Sequence, residues 1–256
     1  MISAKQLNDL VKKYETSDFI KDDPIQFPHR FKNKDDIEIA GFIASLFAYG
    51  NRKIFIKKLD ELFAIMQNEP KNFVLNFDKK LIGEFNYRFA KSDDIISLFV
   101  CLNSLYKNGN TLYEVFRYGK ELGCTVDGCI AKTVDTMYSS VKKSSSCCAG
   151  NGFYHMIPNP ENKGAMKRMN MFLRWMVRKG PVDLGVWDFI KPSDLLIPLD
   201  VHVARVSRDM GLLNRNSNDL KAVIELTDNL KKFDESDPIK YDFAMFGYGI
   251  DSNSGD

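Results

Sequence analysis

The 256-residue chain carries 36 Lys and Arg against 34 Asp and Glu, a formal net charge of +2. So even a balance excludes nucleic-acid binding driven by overall charge, and any such affinity has to come from local clusters. At 44% hydrophobic and 27% charged residues, the composition is that of a water-soluble globular chain able to bury one large core or two smaller ones.

Helical periodicity runs through the chain. Residues 4–14 place Leu7, Leu10, Val11 and Tyr14 on one face. This polar start has no signal-peptide apolar core, and no apolar run is long enough to span a bilayer, so a cytoplasmic protein is expected. Residues 36–49 form an almost wholly apolar helix, the expected centre of a lobe, with Gly50 as its C-cap. Further helices are predicted at 53–67, 70–77, 93–106, 110–121 and 126–141, then a loop from 142 to 160. Helices follow at 163–178, 201–211, 218–232 and 238–247, and the tail 251–256 reads as disordered. No alternating strand pattern and no internal repeat appear. The expected fold class is all-α, a single domain over 1–250 with helical lobes of about 1–150 and 151–250.

Five cysteines, an odd number, occur at 101, 124, 129, 147 and 148. Without a secretory signal they read as free thiols. None lies after Cys148, so no zinc or C-terminal iron–sulfur site is expected, nor any other metal or cofactor. The vicinal pair Cys147-Cys148 sits in a Ser/Gly-rich loop, where small residues serve flexibility rather than redox chemistry.

The segment 197–213 carries the most chemical information. Asp200 follows Pro198-Leu199 where an extended apolar stretch becomes a helix striped by Val201, Val203, Val206 and Met210, with Arg205 and Arg208 beside it. Aspartate is a favoured N-cap, and the helix dipole lowers the cost of its charge there. Upstream, residues 163–179 hold six cations and no acid. Lys167, Met171, Arg174 and Arg178 share one face of this helix, and Met166, Met169, Leu173, Met176 and Val177 supply the buried one. Such a basic face is either simply solvated or a phosphate-contacting surface.

Pro-Leu-Asp200-Val-His202-Val-Ala-Arg205-Val, followed by Gly211-Leu212, resembles the Pro-Val-Asp-x-His-x-x-Arg signature of the helix-hairpin-helix DNA glycosylase superfamily. The resemblance covers about residues 158–250. It implies a helix-hairpin-helix element, a DNA-binding cleft between the lobes, and a monomer acting on double-stranded DNA that contains a damaged base. It implies that Asp200 stabilises oxocarbenium-like charge at the sugar. It also implies that a lysine at the start of the second hairpin helix, here Lys167, attacks C1′ and forms a Schiff base. Neighbouring cations and partial desolvation would favour the free amine that this requires. Two features depart from the common pattern. Only Gly164 stands in for the Gly-x-Gly hairpin, and Lys167 and Asp200 are 33 residues apart. Both are features of the archaeal-type 8-oxoguanine DNA glycosylases, which the chain resembles more than the endonuclease III branch. It is also similar to a bacterial family of uncharacterised proteins sharing Phe-Pro-His-Arg, Lys-Arg-x-Asn-Met-Phe-Leu-Arg-Trp-Met-Val-Arg and Pro-Leu-Asp.

The resemblance implies excision of 8-oxoguanine with associated lyase activity at abasic sites. Asp242 and Phe246 share a helical face, and the resemblance turns them towards the flipped base, an acid for its N–H edge and a ring to stack on it. Gln26 and Met171 complete the expected base pocket. Expected DNA contacts are Lys163, Gly164, Arg168, Arg174, His202 and Arg205. Asn51 and Arg52, after the apolar helix, join them where glycosylases place residues that fill the DNA gap. Three other readings fit the same sequence: a monofunctional glycosylase for another lesion, a non-enzymatic DNA-binding module, and a helical protein–protein adaptor.

Overall fold

The computed structural model describes residues 2–144 and 148–253. In chain order the α-helices are α1 Ala4–Tyr14, α2 Lys34–Phe47, α3 Arg52–Ile65, α4 Pro70–Leu75, α5 Ser92–Lys107 and α6 Leu112–Glu121. They continue as α7 Val126–Lys143, α8 Asn151–Met156, α9 Lys167–Val177, α10 Val201–Asp209, α11 Leu220–Lys231 and α12 Tyr241–Asn253. Short 3-10 turns and isolated β-bridges complete the described residues, which contain no strand, so the chain is all-α. No helix among the described residues is long and apolar enough to cross a membrane.

Contacts divide the chain into two compact units. One comprises residues 1–25 and 161–256, the other residues 26–160. The first helix, expected in an N-terminal lobe, thus groups with the C-terminal part, because α1 packs on α12. Gly247 permits that approach: a β-carbon there would lie 2.3 Å from the Tyr14 ring. Two termini of elements also differ from the expectation. Helix α2 ends at Phe47 with Ala48 as C-cap, and Gly50 follows in a left-handed conformation at φ +84°. Residues 251–253, expected to be disordered, are the last turn of α12. The rest of that tail and Cys147 lie outside the described residues, and the four described cysteines are free thiols.

In the unit of residues 26–160, every residue of α2 from Ile37 to Phe47 is buried. Helix α2 is therefore the hub of this core, as an apolar helix without a polar face must be. Glu38 is buried within it and fully engaged. Its carboxylate accepts from the Tyr106 hydroxyl and from the amides of Leu112 (2.8 Å) and Tyr113 (2.9 Å), capping α6. Asp94 does the same for α8: Oδ1 accepts from the amides of Gly150 (2.8 Å) and Phe153 (3.0 Å). The helix α8 interrupts what reads in sequence as one loop. Its N-cap, Gly150, has no side chain to signal a start, and the capping group comes from α5, far away in sequence.

In the other unit α12 packs against α1 and α10, and α9 is buried nearly along its length. From Met169 to Val177 every residue of α9 is buried, Trp175 completely. Tyr241, Phe243, Ala244 and Met245 of α12 have no solvent exposure. The pair forms the scaffold on which the candidate site is mounted.

Candidate active site

Helix α9 begins at Lys167. The residue before it, Met166, is left-handed (φ 49°, ψ 35°) and provides no side-chain cap. Lys163, also left-handed at φ 52°, accepts a 2.8 Å bond from the Leu220 amide at its carbonyl, which ties this approach to the start of α11. Two non-glycine residues in a conformation that costs on the order of 1 kcal/mol each thus lie within the four residues before the lysine. The lysine is thereby placed in the first helical turn, half-buried, with Nζ 3.3 Å from Met171 Sδ one turn along.

Asp200 caps α10 as its residue type predicts. Oδ1 accepts from the amides of His202 and Val203, each at 2.9 Å. Both bonds end on one oxygen, and Oδ2 is bonded to no described residue. Asp200 also faces a cavity of about 30 Å³, whose wall includes Lys167, Met171, Arg174, Asp242 and Phe246. Phe19, Asp23, Pro198 and Phe243 complete the lining, so the whole site belongs to the unit of residues 1–25 and 161–256. The volume admits water but not a nucleobase. Of the three lining rings, Phe243 is fully buried, whereas Phe19 and Phe246 keep solvent access and meet edge to face at 6.0 Å.

Behind the cavity lies a buried charge network. Arg174 Nη1 donates to Asp242 Oδ2, and its Nε donates to Asp183 Oδ1 at 3.2 Å. Its guanidinium also lies 4.1 Å above the Phe243 ring centre. Arg178 donates to Asp183, to both oxygens of Asp237 (2.9 and 3.0 Å from Nε) and to Glu15 at 2.9 Å. Burial works against the Arg174 charge, but Asp183 and Asp242 outweigh it and hold its proton above the ordinary range. Asp242 shows the opposite balance. Burial pushes its carboxyl up to about 6; Arg174 acts against the shift, Asp200 and Asp183 add to it, and Lys167 opposes it.

The expected phosphate-contacting face is thus corrected in part. Lys167, Met171 and Arg174 do share a face, but that face points inward, and Arg174 is 4% and Arg178 3% exposed. Their charges are consumed by carboxylates, so Arg174 is not a DNA contact. Gln26 is likewise not in the cavity wall; it lies in the other unit and accepts from Arg30 Nη2 at 3.1 Å. Asn51 caps α3 through a 3.3 Å bond from the Ile54 amide, and Arg52 is its first helical residue. Arg205 donates to the Gly249 carbonyl at 3.2 Å, and His202 supplies a capped amide on the second helical position of α10. Lys163 is exposed, and Gly164 and Arg168 are half-buried beside the start of α9. Phe19, Asp23 and Asp183 escaped sequence reasoning, since no motif or spacing links residues of an N-terminal turn and an irregular loop to α9. Among the described residues no three His, Cys, Asp or Glu side chains come together as a metal site.

A family model described as "Protein of unknown function (DUF2400)" matches residues 23–251. No curated protein and no solved structure matches the chain.

Proposed function

We propose a DNA-repair chemistry for this chain, which belongs to the DUF2400 family of proteins of unknown function. It is a glycosylase that excises oxidised guanine from duplex DNA, with lysine Schiff-base lyase activity. One observation supports the reading above the others. An amine and a carboxylate 33 residues apart in sequence, Lys167 and Asp200, line one cavity, each at the N-terminal end of a helix. A simple N-cap needs no such partner, and neither a structural DNA-binding module nor an adaptor requires the pair.

In this reading the lesion is flipped out of the duplex, which removes the need to reach its glycosidic bond inside the stack. Phe246 and Phe19 move aside to admit a base several times larger than the present cavity. Asp242 lies beside the base in the cavity wall, and Phe246 stacks on it. Lys167 attacks C1′, Asp200 stabilises the positive charge developing on the sugar, and the base departs. The amine on C1′ then loses a proton as the C1′–O4′ bond opens with its electron pair on O4′, which is protonated, and the imine so formed allows β-elimination of the 3′ phosphate and a strand nick. Lys163, Gly164 and Arg168 surround the first turn of α9, whose amides lack a side-chain cap, and they contact a backbone phosphate there. The test is incubation of the protein with duplexes carrying 8-oxoguanine, other oxidised bases and undamaged controls. Release of free 8-oxoguanine supports the reading; intact strands throughout, with salt-sensitive binding only, would leave a non-enzymatic DNA-binding protein.

A further inference from the structure

We infer that Asp242 is a proton carrier: it takes a proton from the Lys167 ammonium and delivers it to the departing base nitrogen. This rests on the glycosylase reading and gives the buried carboxylate of that site a role beyond contact with the base.

A lysine attacks only as the free amine, and a base leaves more readily when it is protonated. The ammonium–carboxylate pair and the amine–carboxylic acid pair hold the same number of protons, so passing one between Lys167 and Asp242 needs no exchange with solvent. The geometry suits the transfer. Arg174 fixes Asp242 through Oδ2, while Oδ1 is bonded to no described residue. Lys167 lines the same cavity, whose volume of about 30 Å³ exceeds the roughly 10–15 Å³ that a single water needs. A single water there can pass the proton on. The charged groups facing Asp242 are Lys167 and Arg174 from α9, Asp200 from the cap of α10 and Asp183 from the loop after α9. Asp23 shares the cavity wall. Burial among these groups brings the proton affinity of Asp242 closer to that of an amine, with its carboxyl at about 6.

The step balances. Lys167 Nζ gives a proton to Asp242 and uses the freed lone pair to bond C1′. The C1′–N bond breaks with its electron pair remaining on the base, and that nitrogen takes the proton from Asp242. The carboxylate is restored, the base leaves neutral, and Lys167 becomes a secondary ammonium on the sugar.

The experiment is the single-turnover excision rate on an 8-oxoguanine duplex as a function of pH, with DNA affinity measured in parallel. For the unmodified protein the rate is expected to be flat between about pH 7 and about pH 9. It falls about tenfold per unit below about 6, where Asp242 already holds its own proton. Asp242→Asn should be at least about 100-fold slower at about pH 7, and its rate should rise about tenfold per unit to about pH 9, as hydroxide replaces the carboxylate. Asp242→Glu should restore the plateau. Borohydride trapping of Asp242→Asn on a preformed abasic duplex at high pH establishes that its site is folded. An Asp242→Asn variant that keeps the plateau and loses only affinity overturns the inference and leaves Asp242 as a base contact. If neither variant folds, an unmodified protein whose rate keeps climbing between about pH 7 and about pH 9 overturns it too. If the unmodified protein forms no adduct with the abasic duplex, the lysine-nucleophile part of the reading fails and the inference falls with it.

Discussion

Removal of Arg174 is the sharpest test of how the site is held. Arg174 is 4% exposed, and Arg174→Met keeps the apolar volume while deleting the donors to Asp183 and Asp242. Asp183 retains Arg178, but among the described residues Asp242 has no other cation bonded to it. Breaking a buried pair from one side costs about 3–5 kcal/mol, a large share of the roughly 5–15 kcal/mol by which domains are stable. In a chain of this length each kcal/mol lowers Tm by about 2–4 °C, so a drop of roughly 6–20 °C is expected. The loss should also depend on pH. Burial already raises the Asp242 carboxyl from its ordinary 3.8 to about 6. Within that window the folded protein binds a proton that the unfolded chain does not, so this group's contribution to stability falls as pH rises through it. Without the opposing pull of Arg174 the window extends higher. The variant is therefore expected to be destabilised more at about pH 8 than at about pH 5, by on the order of 1–2 kcal/mol. The double variant Arg174→Met/Asp242→Asn should recover at least half of the loss, because removing both partners leaves no buried charge uncompensated. Urea melts followed by circular dichroism at the two pH values measure all of this. A single-variant cost under about 1 kcal/mol at both pH values, or strict additivity in the double variant, would refute the reasoning.

The cap and the chemistry of Asp200 are separable. Asp200→Asn keeps a good N-cap and should change stability by less than about 0.5 kcal/mol, while Asp200→Ala costs about 1 kcal/mol. Both should lower excision by on the order of 100-fold or more, as a single-turnover assay would show. A catalytically normal Asp200→Asn would reduce this residue to a cap. In the other unit, Gly152→Ala would place its β-carbon 2.3 Å from Asp94 Oδ2 and 2.4 Å from the Phe89 carbonyl oxygen. Overpacking against backbone predicts a loss of about 2–3 kcal/mol in chemical denaturation, and an unchanged midpoint would contradict the packing described.

Much of this architecture is legible in the sequence, for identifiable reasons. The apolar run of α2 and the striped faces of α1 and α9 follow from period 3.6, which burial preserves. Asp200 is visible because capping is local chemistry, carried by a residue type at a helix start. Helix α8 is hidden because its cap comes from Asp94, and Gly150 and Gly152 read as loop. The burial of Arg174 and Arg178 is hidden for the same reason. A cationic face reads as solvated until Asp183, Asp237, Asp242 and Glu15 arrive from four other segments to neutralise it. The i, i+4 pairing of Asp242 with Phe246 brings both to the cavity as expected, whereas Gln26, taken from a pre-helical loop, has no such periodic anchor.

The central claim is that Lys167 is the nucleophile of a DNA glycosylase and lyase. Borohydride reduction in the presence of an 8-oxoguanine or abasic duplex tests it most directly. The account predicts a covalent protein–DNA adduct that is lost in Lys167→Gln and kept in Lys163→Gln. No adduct with any such duplex, or an adduct that survives Lys167→Gln, would contradict it.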